Sequence, residues 1–168
     1  MLHYAILIVF PALMIFAAVS DVLTMKIPNR ISLLLIAGFF PLAFATGLDL
    51  PTIGWHVAAG LGVLAIGFVL FSFRLLGGGD AKLAGATALW LGGSLLPIYG
   101  YLTVIAGGLL AAVIFGLRMI PLSEGLQARG WIARLHNKTE GVPYGVALAA
   151  GGLLVYPASA IWLAAAGA

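Results

Sequence analysis

Between Leu83 and Leu117 the chain runs 35 residues without one charged side chain. As a single straight helix that stretch would be about 52 Å long at about 1.5 Å per residue. The hydrocarbon core of a bilayer is only about 30 Å thick, a mismatch that tilt does not absorb. Gly92-Gly93-Ser94 and Pro97-Ile98-Tyr99-Gly100 interrupt its middle, and Gly and Pro punctuate helices. The stretch therefore predicts two membrane spans joined by a tight hairpin, over about 81–97 and 99–120.

The remainder of the chain agrees. Of its 168 residues, 63% are hydrophobic and 8% charged, with a mean hydropathy of +1.17. A soluble domain carries about 25% charged residues, so lipid has to be the solvent. Four more apolar stretches, over about 2–20, 31–47, 53–73 and 144–166, bring the expectation to six transmembrane helices. The fold class expected is all-α, a polytopic membrane protein built as one membrane-embedded domain over residues 1–168. Its 23 glycines suit close helix packing in lipid. With six spans all eight Lys and Arg residues fall on one side: Lys26, Arg30, Arg74, Lys82, Arg118, Arg129, Arg134 and Lys138. The positive-inside rule makes that side cytoplasmic and places both termini outside. The first apolar run has no basic residues ahead of it, unlike a secretory signal, and reads as a retained span. In the cytoplasmic loop, about 121–143, Leu122, Leu126, Ile132 and Leu135 alternate with basic residues. That loop is either an amphipathic helix on the leaflet or a basic tether.

The scarcity of ionisable groups narrows the chemistry. There is no cysteine, which excludes disulfides, thiolate zinc sites and a cysteine nucleophile. His3, His56 and His136 are scattered, so no metal site and no cofactor is expected, and no serine has a nucleophile-elbow context. The net charge of +3 does not argue for nucleic acid. Of the five acids, Asp49 reads as a turn residue, and Glu124 and Glu140 as members of the basic loop. Asp21 and Asp80 border hydrophobic spans at the cytoplasmic boundary, where an ionisable side chain signals function. Singly, Asp21 could be an interfacial acid, and Asp80 an N-cap. Together, on different helices at one depth, they form a candidate dyad. Like charges disfavour double ionisation, so one carboxyl can act as general base on water while the other hydrogen-bonds a scissile carbonyl. Gly77-Gly78-Gly79 ahead of Asp80 lets a substrate strand or a helix approach the backbone closely. A small proton- or cation-coupled transporter using Asp21 and Asp80 is the alternative, although its acids would lie nearer the midplane.

Asp21 followed by Lys26-Ile27-Pro28-Asn29, then Gly77-Gly78-Gly79-Asp80-Ala81-Lys82-Leu83, then Pro143-Tyr144-Gly145, resembles the type IV prepilin peptidases, intramembrane aspartyl proteases of the GxGD class. The resemblance implies that Asp21 and Asp80 are the catalytic pair, cutting a short basic leader from a prepilin near the cytoplasmic face of the bacterial inner membrane. It implies that Pro28 and Asn29 open the second span, with Asn29 capping it or lining the site. Lys82 would hydrogen-bond beside Asp80 or anchor the helix at the headgroups. Tyr144 and Gly145 would open the sixth span, Tyr144 as site residue or aromatic-belt anchor. Partners implied are the prepilin, membrane lipids and pilus assembly or secretion machinery. Larger relatives carry a cytoplasmic domain with paired CxxC cysteines and many methylate the new N-terminus. The chain resembles instead the short, peptidase-only branch of Flp (tight-adherence) pilus systems, without methyltransferase activity.

Overall fold

A computed structural model describes residues 2–166, and every element among them is helical. The first hairpin pairs α1 (Leu2–Thr24) with α2 (Asn29–Ala45), and α3 (Leu50–Ser72) returns beside α4 (Gly78–Leu91). The long uncharged stretch breaks at Gly92, whose φ of 74° no side-chain-bearing residue adopts easily. A 3₁₀ turn, Gly93–Leu95, then leads into α5 (Leu96–Leu117). Pro97 does not break the stretch: it sits in the first turn of α5, where a missing N–H costs no hydrogen bond, so Ile98, Tyr99 and Gly100 are helical.

Two short helices, α6 (Glu124–Gln127) and α7 (Gly130–His136), occupy the basic loop. α7 touches both α1 and α5, and Ile132 and Leu135 are half-buried on its inner side. The last apolar stretch is α8 (Gly145–Val155) and α9 (Ala160–Ala166), bent by 47° across a 3₁₀ turn at Tyr156–Ala158. Pro157 lies in that turn, and extended Ser159 restarts the helix by accepting the Trp162 N–H at 3.4 Å.

Three helices are long and apolar enough to cross a bilayer, Tyr4–Thr24, Leu50–Ser72 and Gly93–Leu117, and the bent α8–α9 pair makes a fourth if it is one span. That is fewer than the six expected from hydropathy. α2 has 17 residues and α4 has 14, short of the roughly 20 that a full crossing needs. α2 is confined between Pro28 and the left-handed Gly47, and α4 between Gly77 and Gly92. The chain is nonetheless a multi-pass membrane protein by its exposed surface. Leu33, Ile66, Phe68, Val104 and Leu109 are each more than 60% exposed, a distribution that only lipid accommodates.

α4 is the centre of the bundle, with every residue from Leu83 to Leu91 buried and α2, α3 and α8 packed around it. A helix that is apolar all round belongs inside. Its contact with α3 is built on small residues. A Cβ on Gly60 would stand 3.1 Å from the Gly85 carbonyl oxygen, and one on Gly67 would stand 2.9 Å from the Ala81 Cβ. Gly67→Val is therefore expected to prise α3 from α4 and cost about 1–3 kcal/mol, read as a lower unfolding temperature in detergent. An unchanged midpoint would show that the seam is loose. At the far end of α4, Trp90 donates to the Leu35 carbonyl at 2.9 Å and packs on Phe10, whose ring stacks on Tyr156 at 4.3 Å. His56 places Nδ1 at 2.8 Å from the Leu89 carbonyl. A carbonyl only accepts, so that nitrogen carries the proton. His56 is thus a packing residue of the core.

Candidate active site

Nothing in residues 21–24 ends a helix, and α1 continues past Ser20 until Met25 turns left-handed at φ 55°. Asp21 therefore stands inside α1, one turn before its end, rather than beyond it. Its side chain is 5% exposed. A buried carboxyl needs a hydrogen-bond partner, and Asp21 Oδ2 accepts the Gly145 N–H at 2.7 Å across 124 residues of sequence. Gly145 is the first residue of α8, so the donor is one of the free N–H groups of a helix start.

Asp80 is not the N-cap of α4. Gly77 holds that position and Asp80 lies three residues on, in the first turn, where the helix dipole favours a carboxylate. Its side chain folds back over the cap: a Cβ on Gly77 would stand 2.7 Å from Asp80 Oδ2. Gly78 lies against the Phe71 ring, with its missing Cβ 3.4 Å from the nearest ring carbon.

The piece that joins them is Ile27, to which the sequence alone gives no prominence. A Cβ on Gly79 would meet its Cβ at 3.2 Å, and a Cβ on Gly145 would meet its Cδ1 at 2.6 Å. Ile27 thus wedges between the start of α4 and the start of α8, and both glycines lie tight against it. Pro28 caps α2 in extended conformation with no side-chain cap, so Asn29 does not cap its own helix. Instead Asn29 Oδ1 accepts from Lys82 Nζ at 3.0 Å, fastening α2 to α4 two residues beyond Asp80. Asn29 and Lys82 form the polar mouth of a cleft of about 410 Å³ that runs over Gly60 and Gly85 between Ile36 and Leu61.

Tyr144 turns inward rather than to a headgroup belt. Its ring lies so close to Gly107 of α5 that a Cβ there would stand 2.6 Å from Cε2. Behind it the hydroxyls of Tyr99 and Thr103 are buried without a well-formed hydrogen bond, with Thr87 beside them. Neither these hydroxyls nor the buried Arg118 was distinguishable in the sequence from an ordinary span residue or a loop cation.

Two carboxyls from different helices are thus set beside glycines that pack on one isoleucine. The comparisons with known proteins concern the same region. The family model described as the type IV leader peptidase family matches residues 8–116. The chain is also similar to the prepilin leader peptidase/N-methyltransferase of Bacillus subtilis (strain 168), with 32% identity over 157 residues. That alignment covers 89% of this chain and 54% of the relative, so the chain spans about half the length of the curated relative it matches. No solved structure matches it. Because the family model spans well over half of the chain and contains both acids, the chain belongs to the type IV leader peptidase family.

Proposed function

We propose that this chain is an intramembrane aspartic endopeptidase that removes the short basic leader from type IV prepilins of the Flp class, with Asp21 and Asp80 as its catalytic pair. The observation that carries the reading is that Gly145, bonded to Asp21, and Gly79, next to Asp80, pack on the same Ile27 side chain, although the two acids are 59 positions apart in sequence. In the reaction, the ionised carboxyl takes a proton from water as its oxygen bonds to the scissile carbonyl carbon. The protonated carboxyl gives its proton to the carbonyl oxygen, leaving a tetrahedral diol. The first carboxyl then passes its proton to the amide nitrogen as the C–N bond breaks, and the second recovers one from the diol. Each group acts once as acid and once as base. No methyl-transfer role is proposed for this site.

The accompanying topology is six passes with both termini outside, α2 and α4 being short passes and α4 enclosed by its neighbours. Two side-chain bonds support gathering the basic loops at one end, since Lys82 reaches Asn29 and Arg134 reaches the Leu23 carbonyl. By the positive-inside rule that end is cytoplasmic, at the bacterial inner membrane.

Co-expression with a candidate prepilin tests the activity: the prepilin should shorten by its leader only when the chain is present, and an unshortened product would overturn the reading. A pair that works by sharing one proton also fixes the form of the pH profile. The rate of the purified enzyme should fall both where the pair is doubly protonated and where it is doubly ionised, giving a bell. A rate that stays level through the acidic limb in single-turnover measurements would contradict a shared proton.

A further inference from the structure

Arg118 has the wrong burial for a cation that merely holds a loop on the cytoplasmic side. It is 5% exposed, and a buried guanidinium is costly unless its donors are used. Two of them are used, both on one loop. Nε donates to the Leu135 carbonyl at 2.7 Å and Nη2 to the Gly141 carbonyl at 2.8 Å, while the guanidinium lies 5.6 Å from the centre of the Phe115 ring. Leu135 is in the last turn of α7, whose carbonyls lack helical partners and favour a cation. Arg118 itself caps α5. One side chain therefore closes the loop from its first residue to its twenty-fourth.

The loop reaches Asp21 from two directions. Arg134 of α7 donates through Nη2 to the Leu23 carbonyl, two residues beyond Asp21 on the same helix. Four residues after Gly141, Gly145 gives its N–H to the Asp21 carboxylate. Between these points Pro143 and the inward ring of Tyr144 leave the segment little freedom. Position is thus passed from α5 through Arg118 to Gly141, and from Gly145 to a carboxyl oxygen.

We infer that Arg118 is a positioning residue for Asp21: by holding the 118–141 loop closed, it fixes the Pro143–Gly145 turn whose N–H aims the carboxyl. The inference rests on the reading of Asp21 as catalytic. It assigns a role in the reaction to a residue that would otherwise count only toward membrane orientation. A planar fork suits the two carbonyls better than a lysine ammonium, which keeps the charge without the paired geometry.

The chain has no cysteine, so cysteines introduced at the exposed Leu75 and Lys138 carry a clean pair of spin labels. The distance distribution between them and the cleavage kinetics on a prepilin are measured for the parent, Arg118→Ala and Arg118→Lys. Arg118→Ala should broaden the distribution and lower kcat by about 100-fold, the scale of an ångström-level misplacement of a reacting group, with KM close to the parent. Arg118→Lys should recover part of both. Arg134→Ala, a change at an exposed position, should shift both readouts in the same direction by less, and it carries the test if Arg118→Ala does not accumulate. Parental kcat in Arg118→Ala overturns the inference, whether or not the distribution broadens. Lost activity with an unchanged distribution also overturns it, because Arg118 would then act on substrate directly. Asp21→Asn is the separate check: full activity in that variant defeats the catalytic reading of Asp21, whatever the loop does.

Discussion

Asp80→Asn is expected to abolish leader removal while the chain still accumulates in the membrane at the parental level, and Asp21→Asn to do the same. Asparagine has nearly the shape of aspartate, so both folds are preserved. At position 21 the amide oxygen can still accept the Gly145 N–H that now stands at 2.7 Å. At position 80 the side chain can still fold over Gly77. What is lost in each variant is a group that exchanges protons with water or with the scissile amide. A general acid or base is worth about 10²–10⁴ in rate, enough to leave the prepilin uncut on a gel over the time in which the parent finishes. Asp49→Asn is the matched control. Asp49 caps α3 through a 3.3 Å bond from the Thr52 N–H, a role that asparagine fills equally well. Normal processing by either dyad variant would remove the carboxyl pair from the mechanism.

The second large effect is expected at a residue with no side chain. A Cβ at Gly145 would stand 2.6 Å from Ile27 Cδ1 and 2.8 Å from Asp21 Oδ2, both shorter than real contacts allow. Gly145→Ala must therefore shift the Ile27 side chain, the Asp21 carboxyl or α8 itself, disturbing the bond between the Gly145 N–H and the carboxylate. The expected cost is about 1–3 kcal/mol of stability from overpacking and about 100-fold in kcat from displacement of a reacting group. Adding Ile27→Ala separates the two effects. It removes the clash with Cδ1, so the unfolding temperature in detergent should recover. The clash with the carboxylate remains, so kcat should stay low. A single Gly145→Ala variant with parental kcat would show that the Gly145 bond does not set the position of Asp21.

The parts of this site that could be read in the sequence are those encoded by scarcity. Five acids in 168 residues make Asp21 and Asp80 conspicuous, and glycine triplets and positive-inside counting place both at one boundary. The break in the long apolar stretch was legible because Gly92 needs a conformation that other residues avoid. Pro97 was misread because the same residue type breaks a helix in its interior and begins one at its first turn. Ile27 was invisible for another reason. It is an ordinary aliphatic side chain whose importance comes from two glycines, 52 and 118 positions away, that meet it from separate helices. In the sequence Arg118 counts only as one more loop cation, and packing alone shows that it is buried. Hydropathy likewise locates apolar segments without revealing that α4 is too short for an unaided crossing.

That shortness has a consequence for the cell as much as for the substrate. A protease that holds titratable groups within a membrane risks letting protons pass and dissipating the gradient across it. Here the acids stand at one end of a helix whose rise is only about 21 Å, so water has a short way to travel to reach them. Three turns further along the same helix the path meets Trp90, with the rings of Phe10, Phe39 and Tyr156 around it, all fully buried. The indole N–H and the Tyr156 hydroxyl are both committed to backbone carbonyls, so neither is left to relay a proton. The short central helix thus sets an acid at its start and a layer of buried rings at its end, about three turns apart.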